Sequence, residues 1–398
     1  MKRFLTFSIA GLTTGFLCYL LFVRFPEMQR NVAVRDSIAY WSAGRLLLQG
    51  GNPYEYQRVL ELEKREGYSD ERPLILRTPP WSLFMVGPLG LLSPFGAWVA
   101  WIACSIGSLW AAMRTCRELY GQGVPQDLFS VVGYTFAPIP ACLVSGQMGL
   151  VLLLGVALFF LWQKKRPFLA GLVLILPFSK PHLLLLFWIA LLAWIFLRKK
   201  HSIALGFLCS FGCAVLLPLL FNAHVFEEYR AMLRSASIAH EFIPALSGVI
   251  RLLFFRQHFW VQFVPLGIGA VWCFLFLSKN LRGWSWTEHG PALMVVSVLT
   301  TPYSWLADES VLLPAVLQAA AFVYGARASL TRRAKLWLAL FAFLDFLLLL
   351  ILRSKIPFAT GIYFWSSLVW FSWYFFALRL RKRAGGGDSS NVLAAEVG

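Results

Sequence analysis

The sequence predicts an all-α, polytopic integral membrane protein, and three observations carry that expectation. Of its 398 residues, 59% are apolar and only 14% are charged, whereas soluble domains hold about 45–50% apolar and about 25% charged residues. Several apolar runs exceed the roughly 18 residues that mark a membrane helix. The 36 Lys and Arg outnumber the 19 Asp and Glu for a formal charge of +17, yet they sit in short clusters between apolar runs. The positive-inside rule produces that placement, so membrane lipids are the expected surroundings and nucleic acid is not an expected partner.

The elements follow in order. Residues 1–23 pair a basic start (Lys2, Arg3) with an apolar stretch long enough to span. No small-x-small cleavage site precedes Arg24, so the stretch is expected as the first membrane helix with a cytoplasmic N-terminus. Further apolar segments run over 79–92, 95–113, 127–145, 148–162, 168–178, 183–197, 202–221, 259–278, 290–304, 308–325, 336–352 and 358–378. Segment 79–92 is short and interrupted by Gly87-Pro88 and Gly90, which predicts a re-entrant or interfacial element rather than a span. Pro177 and Pro181 break the 168–197 stretch near its turn, which predicts a hairpin that leaves and returns on one side.

Lys164-Lys165-Arg166, Arg198-Lys199-Lys200, Arg332-Arg333-Ala334-Lys335 and the cluster Arg379–Arg383 are expected in the cytoplasm. About 12 crossings, within a range of about 11–13, then leave both termini inside. One membrane domain is expected over 1–381, with a disordered cytoplasmic tail over 382–398 that lacks apolar content. The seven cysteines form no C-x-x-C pair and read as helix-packing residues.

This topology puts four polar regions outside: the loop 24–78, the Ser145-Gly146-Gln147 turn, the tip Ser179–His182, and the loop 222–258 with Thr301–Glu309. Loop 24–78 holds eight of the 19 acidic residues, and short helices are expected in it at 37–49 and 54–66. Asp36 stands at the start of the first of these, read as an interfacial helix anchored by Tyr40 and Trp41. By position alone Asp36 reads as an N-cap, accepting backbone N–H bonds.

The run Arg35-Asp36-Ser37-Ile38-Ala39-Tyr40-Trp41, continuing through Ala43-Gly44, the leucines 46–48 and Gly51-Asn52-Pro53-Tyr54, resembles a hallmark of glycosyltransferase family 87. The resemblance continues at Thr78-Pro79-Pro80 with Leu89 to Pro94, at Gly146-Gln147, at Ala170-Gly171 with Lys180-Pro181, and at Thr301-Pro302-Tyr303-Ser304-Trp305. The motifs occur in order over residues 35–305. These enzymes are similar to bacterial polyprenol-phosphate-mannose-dependent mannosyltransferases of the GT-C superfamily. The chain departs after Trp305: where family members often carry a His or Asp-His, it has Leu306-Ala307-Asp308-Glu309, so no histidine role transfers there.

The resemblance implies a GT-C fold, a lipid-linked sugar donor and an external-loop Asp as catalytic base. The chemistry agrees on the base, because glycosyl transfer to an alcohol needs a carboxylate for the hydroxyl proton and a cation for the departing phosphate. Asp36 is the candidate base, with the N-cap as its alternative. Lys180, His182, Arg77 and Arg251 are candidates for the donor phosphate. For Lys180 the alternative is snorkelling to the interface, for His182 a bond within the bundle, and for the two arginines a solvated surface charge.

Tyr40, Tyr54, Gln147, Tyr303, Trp305, Asp308 and Glu309 are the candidates for sugar or acceptor contacts. Helix capping is the alternative for Gln147, and an interfacial aromatic belt for Tyr303 and Trp305. Asp308 and Glu309 are adjacent and point in different directions on a helix, which weighs against paired-carboxylate chemistry. Asp345, alone in the run Phe343–Leu347, has two open roles: an ion pair inside the bundle or a place at a functional cavity.

No P-loop, G-x-G-x-x-G, H-E-x-x-H, G-x-S-x-G or Asp-x-Asp pattern is present, so neither a cofactor nor a metal is expected. The leading expectation is a plasma-membrane enzyme with its active site on the extracytoplasmic face. It would move a hexose, with mannose expected, from a polyprenyl-phosphate donor to a lipid or glycan acceptor. The competing function is a lipid-linked-saccharide flippase or secondary transporter, which needs its polar groups near the midplane with access to both faces.

Overall fold

The computed structural model describes residues 35–235, 242–354 and 361–395, with side chains as far as Arg383. Every regular element among them is a helix, so the chain is an all-α, polytopic membrane protein. Among the described residues, five helices are long and apolar enough to cross a membrane, or seven if two bent pairs each count as one span. The expectation of about 12 crossings also counted residues 4–23, outside the described residues, and shorter helices such as Gly149–Trp162 and Trp286–Thr300.

The chain divides into two compact units. The first comprises residues up to Ile102 with Leu217–Met232; the second comprises Ala103–Leu216 and the chain from Leu233 onward.

In the first unit, α1 (Ser37–Leu48) and α2 (Tyr56–Arg65) fall where short loop helices are expected. They differ in character. Only Val59, Leu60 and Glu63 of α2 are buried, whereas α1 is buried nearly all round, through Ile38, Tyr40, Trp41, Leu46 and Leu47. The expected interfacial helix is therefore an internal one. Its aromatic residues serve packing: Tyr40 meets Trp101 edge to face at 5.0 Å, and Trp41 Nε1 donates to the Leu92 carbonyl at 3.0 Å.

Two glycines explain why α1 can be buried. The third element, α3 (Pro80–Leu91), is a short run of 3₁₀ and α turns. Gly44 lies directly against it, and a Cβ at Gly44 or at Gly90 would overlap the other segment's backbone. Arg45 closes the contact by donating to the Gly90 carbonyl at 3.1 Å. The Gly51-Asn52-Pro53-Tyr54 segment is a turn in which Asn52 Oδ1 accepts from Tyr54 N at 2.8 Å, the local bond for which asparagine is favoured. Asn222 ties the turn down through the Gly51 carbonyl.

Past α4 (Pro94–Tyr120), two apolar segments of the second unit, on either side of α7 (Gly149–Trp162), are broken rather than straight. The first consists of α5 (Gln126–Thr135) and α6 (Pro138–Ser145), bent by 49°. A break frees backbone groups that a membrane interior cannot hydrate, and here Asp345 Oδ1 accepts from Ala137 N at 2.8 Å. That bond gives Asp345 a structural role at the break, which the sequence leaves undecided. The second consists of α8 (Pro167–Phe178) and α9 (Pro181–Leu197), bent by 117° at Ser179-Lys180, where two prolines predict a hairpin.

The helix from Leu306 to Gly325 is the most enclosed of the candidate spans, and its Gln318 bonds to Tyr374 of the last helix, Ser366–Ala395. That helix continues past residue 382, where the sequence predicts disorder.

Candidate functional site

The sequence-predicted site residues gather in two clusters, one in each unit. The first surrounds the start of α1. Asp36 takes helical dihedrals (φ −58°, ψ −20°) and its side chain makes no capping bond to α1. An N-cap normally needs extended backbone for its side chain to reach the N–H groups, so the N-cap alternative loses its geometric basis. Arg35 lies over the Trp98 ring at 5.5 Å.

The sequence does not single out Glu63, which joins this cluster. It is fully buried on α2, and its Oε2 accepts from Leu74 N at 3.0 Å. Burial pushes its carboxyl up to about 7, and the nearby Asp36 charge adds to that rise against the Leu74 bond. The signal that could reveal Glu63 is an amphipathic one: with Val59 and Leu60 it lies on the apolar face of a helix that is otherwise strongly polar.

Further along the same unit, Tyr54 is buried, with its hydroxyl 3.5 Å from the Thr78 carbonyl and its ring 5.3 Å from Tyr229. Tyr229 in turn donates to the Arg77 carbonyl at 3.3 Å. Thr78 and Ser82 share a 2.5 Å hydroxyl contact. Tyr40 and Tyr54, expected to meet sugar or acceptor, are thus packed inside the unit. Arg77 is half-buried.

The second cluster centres on Lys180, at the bend between α8 and α9. Its ammonium lies 2.7 Å from Asp308 Oδ1 and 2.8 Å from Gln147 Oε1, and it is only 7% exposed. Snorkelling is therefore excluded for Lys180. Gln147 is placed by Gly146, whose positive φ of 73° ends α6 in a conformation that favours glycine. Gly149 lets the 306–312 turn approach, because a Cβ there would meet the Ala307 carbonyl.

Asp308 is fully buried and uses its other oxygen to accept from Trp305 N at 3.0 Å. Trp305 Nε1 donates to Tyr303 Oη at 3.0 Å, and Tyr303 meets the His182 ring edge to face at 5.6 Å. The His182 carbonyl accepts from Thr301 Oγ1, while its Nε2 is buried without a hydrogen-bond partner among the described residues. Glu309 points away, as adjacency in a helical turn predicts, and accepts from Ser366 and Trp370 at 2.7 and 2.8 Å.

Arg251 is 1% exposed and lies over the Phe259 ring at 5.4 Å, so the solvated-charge alternative for it is wrong. It shares its helix, Leu246–Phe254, with Ser247, which donates to the Thr301 carbonyl at 2.8 Å. The described residues contain no group of three or more His, Cys, Asp or Glu placed to hold a metal ion.

The motifs at Thr78, Gln147, Lys180 and Thr301–Trp305 therefore hold real positions in packed clusters. The family model described as glycosyltransferase family 87 matches residues 78–344, more than half of the chain. The chain belongs to glycosyltransferase family 87. The match contains the whole Lys180 cluster and begins after Asp36 and Glu63. No curated protein and no solved structure matches the chain. A glycosyltransferase needs a sugar donor and an acceptor, and family membership ranks catalysis ahead of carriage.

Proposed function

We propose that this glycosyltransferase moves a hexose, with mannose the expected sugar, from a polyprenyl phosphate to a lipid or glycan acceptor on the extracytoplasmic face of the plasma membrane. Asp36 is the general base. The acceptor hydroxyl gives its proton to the Asp36 carboxylate as its oxygen bonds to the anomeric carbon. The bond from that carbon to the phosphate oxygen breaks on the opposite side, and the polyprenyl phosphate leaves with the electron pair. The anomeric configuration is inverted.

The observation that carries this reading is the Asp36 side chain, which stands at a helix start without capping it. Lys180 is the candidate cation for the departing phosphate. Lys180 already holds Asp308 and Gln147, so in this reading a phosphate shares that ammonium rather than meeting an idle one. His182 Nε2 is a buried polar atom of this cluster with no protein partner among the described residues. A monophosphate leaving group carries less charge than a diphosphate, so fixed cationic donors suffice and no divalent metal is needed.

The test is purified protein with radiolabelled polyprenyl-phosphate-mannose. Transfer to an alcohol, or slow donor hydrolysis, with product of inverted configuration and with chelator present is the expected result. Retained configuration, or activity that chelator abolishes and magnesium or manganese restores, overturns the mechanism.

A further inference from the structure

The carboxyl of Glu63 has no part in the reaction proposed above, yet it is fully buried in a helix of mostly solvated residues. One oxygen is held by Leu74 N. The other, Oε1, is buried with no hydrogen-bond partner among the described residues, as is the hydroxyl of Ser37, the neighbour of Asp36. A buried carboxylate oxygen without a donor is costly, because water that would solvate its charge has been removed and nothing replaces it. A protonated carboxyl escapes most of that cost.

We propose that Glu63 is the positioning partner of Asp36: it keeps its proton so that Asp36 alone is ionised at the head of α1. The two acids differ in surroundings. Asp36 is partly open to solvent, and Glu63 is sealed. Two carboxyl groups close enough to feel one another do not both ionise cheaply, and the more buried one retains the proton.

The groups facing Glu63 fit this division. Asp36, just before α1, adds to the rise of the Glu63 carboxyl, and after burial Asp70, Glu63 and Asp36 each raise the Tyr68 hydroxyl. On its own helix Lys64 and Arg65 are exposed. The burial that raises the Glu63 carboxyl to about 7 agrees with the geometry. This proposal rests on Asp36 being the base only for its effect on rate; the sharing of charge between the two acids stands without it.

Infrared titration of the full chain in nanodiscs tests the charge sharing directly, because a protonated carboxyl has a C=O stretch that a carboxylate lacks. The expected result is a buried-carboxyl band that titrates near 7, is absent in Glu63→Gln, and titrates at lower pH in Asp36→Asn, where the neighbouring charge is gone. Absence of such a band in the wild type, or an unmoved midpoint in Asp36→Asn, overturns the proposal.

The kinetic arm uses the labelled donor assay across pH. The expected wild-type kcat/KM rises as Asp36 ionises and falls as Glu63 ionises, and Glu63→Gln loses only the falling limb. A falling limb retained in Glu63→Gln reduces Glu63 to a tether for Leu74. Glu63→Ala, which lacks the acceptor for Leu74 N, reads the cost of that tether through thermal stability alone. Transfer by Asp36→Asn at wild-type rate would instead end the assignment of the base while leaving the infrared coupling intact.

Discussion

At the residue scale, Asp36 and Lys180 present opposite situations. Asn at position 36 keeps the size of Asp but cannot take a proton at neutral pH. Asp36→Asn should lower transfer by about 10²–10⁴-fold with expression and detergent stability unchanged. Retention of more than about a tenth of the rate, well above that loss, would remove Asp36 as base. Lys180 is bound into a buried ion pair with Asp308. Removing one partner strands the other charge, a change that costs about 3–5 kcal/mol in buried pairs, while apolar replacement of both is often near neutral. Lys180→Met should therefore destabilise the protein strongly, and Lys180→Met with Asp308→Leu should recover much of the melting temperature but no transfer. Recovery of transfer in the double variant would make the pair purely structural. Glu63 contributes to the pH dependence of stability. Its folded carboxyl is raised to about 7 from an ordinary 4.5, so folding favours its protonated form. That stabilisation is complete below about 4.5 and is lost as pH rises through about 7, and thermal melts of Glu63→Gln should lack that fall.

At the scale of elements, legibility followed the nature of the signal. Hydropathy and proline position alone place the short helices at α1 and α2 and the break between α8 and α9, because those features are local in sequence. The burial of α1 was not legible, since Tyr40 and Trp41 suit an interface as well as a core; the deciding contact joins Gly44 to Gly90, far apart in the chain. Glu63 was missed for a related reason, as its partner Leu74 N is brought to it by a later segment of the chain. Lys180 and Asp308 were each legible as polar residues in apolar company, but their pairing across 128 positions was not. The contact of α1 with α3 is itself testable. Gly90→Ala sets a methyl into the α1 backbone, and overpacking of this kind costs about 1–3 kcal/mol. The thermal transition should fall accordingly, and Gly107→Ala, which meets open space, should leave it in place.

At the scale of the whole molecule, what orients the chain in the membrane is charge rather than helix count. The clusters Lys164-Lys165-Arg166, Arg198-Lys199-Lys200 and Arg332-Arg333-Ala334-Lys335 lie at or next to helix ends, where Lys and Arg resist translocation. Loop 24–78 spreads its basic residues out, with Lys64-Arg65 its one adjacent pair and no cluster like those three. In the proposed reaction a lipid-linked donor and its acceptor meet at the membrane surface, so the base must lie on the side from which the acceptor comes. Residue 65 should therefore be extracytoplasmic and residues 164–166 cytoplasmic. Single cysteines introduced at 65 and 165 read this, in a background from which the native cysteines, including the exposed Cys104, Cys209 and Cys213, have been removed. A membrane-impermeant thiol reagent should label position 65 in intact cells and position 165 only after permeabilisation. Both positions are exposed, so failure to label would reflect membrane sidedness rather than burial. Labelling of 65 only after permeabilisation would put Asp36 and Glu63 on the cytoplasmic side, and an extracytoplasmic acceptor could then no longer be the substrate.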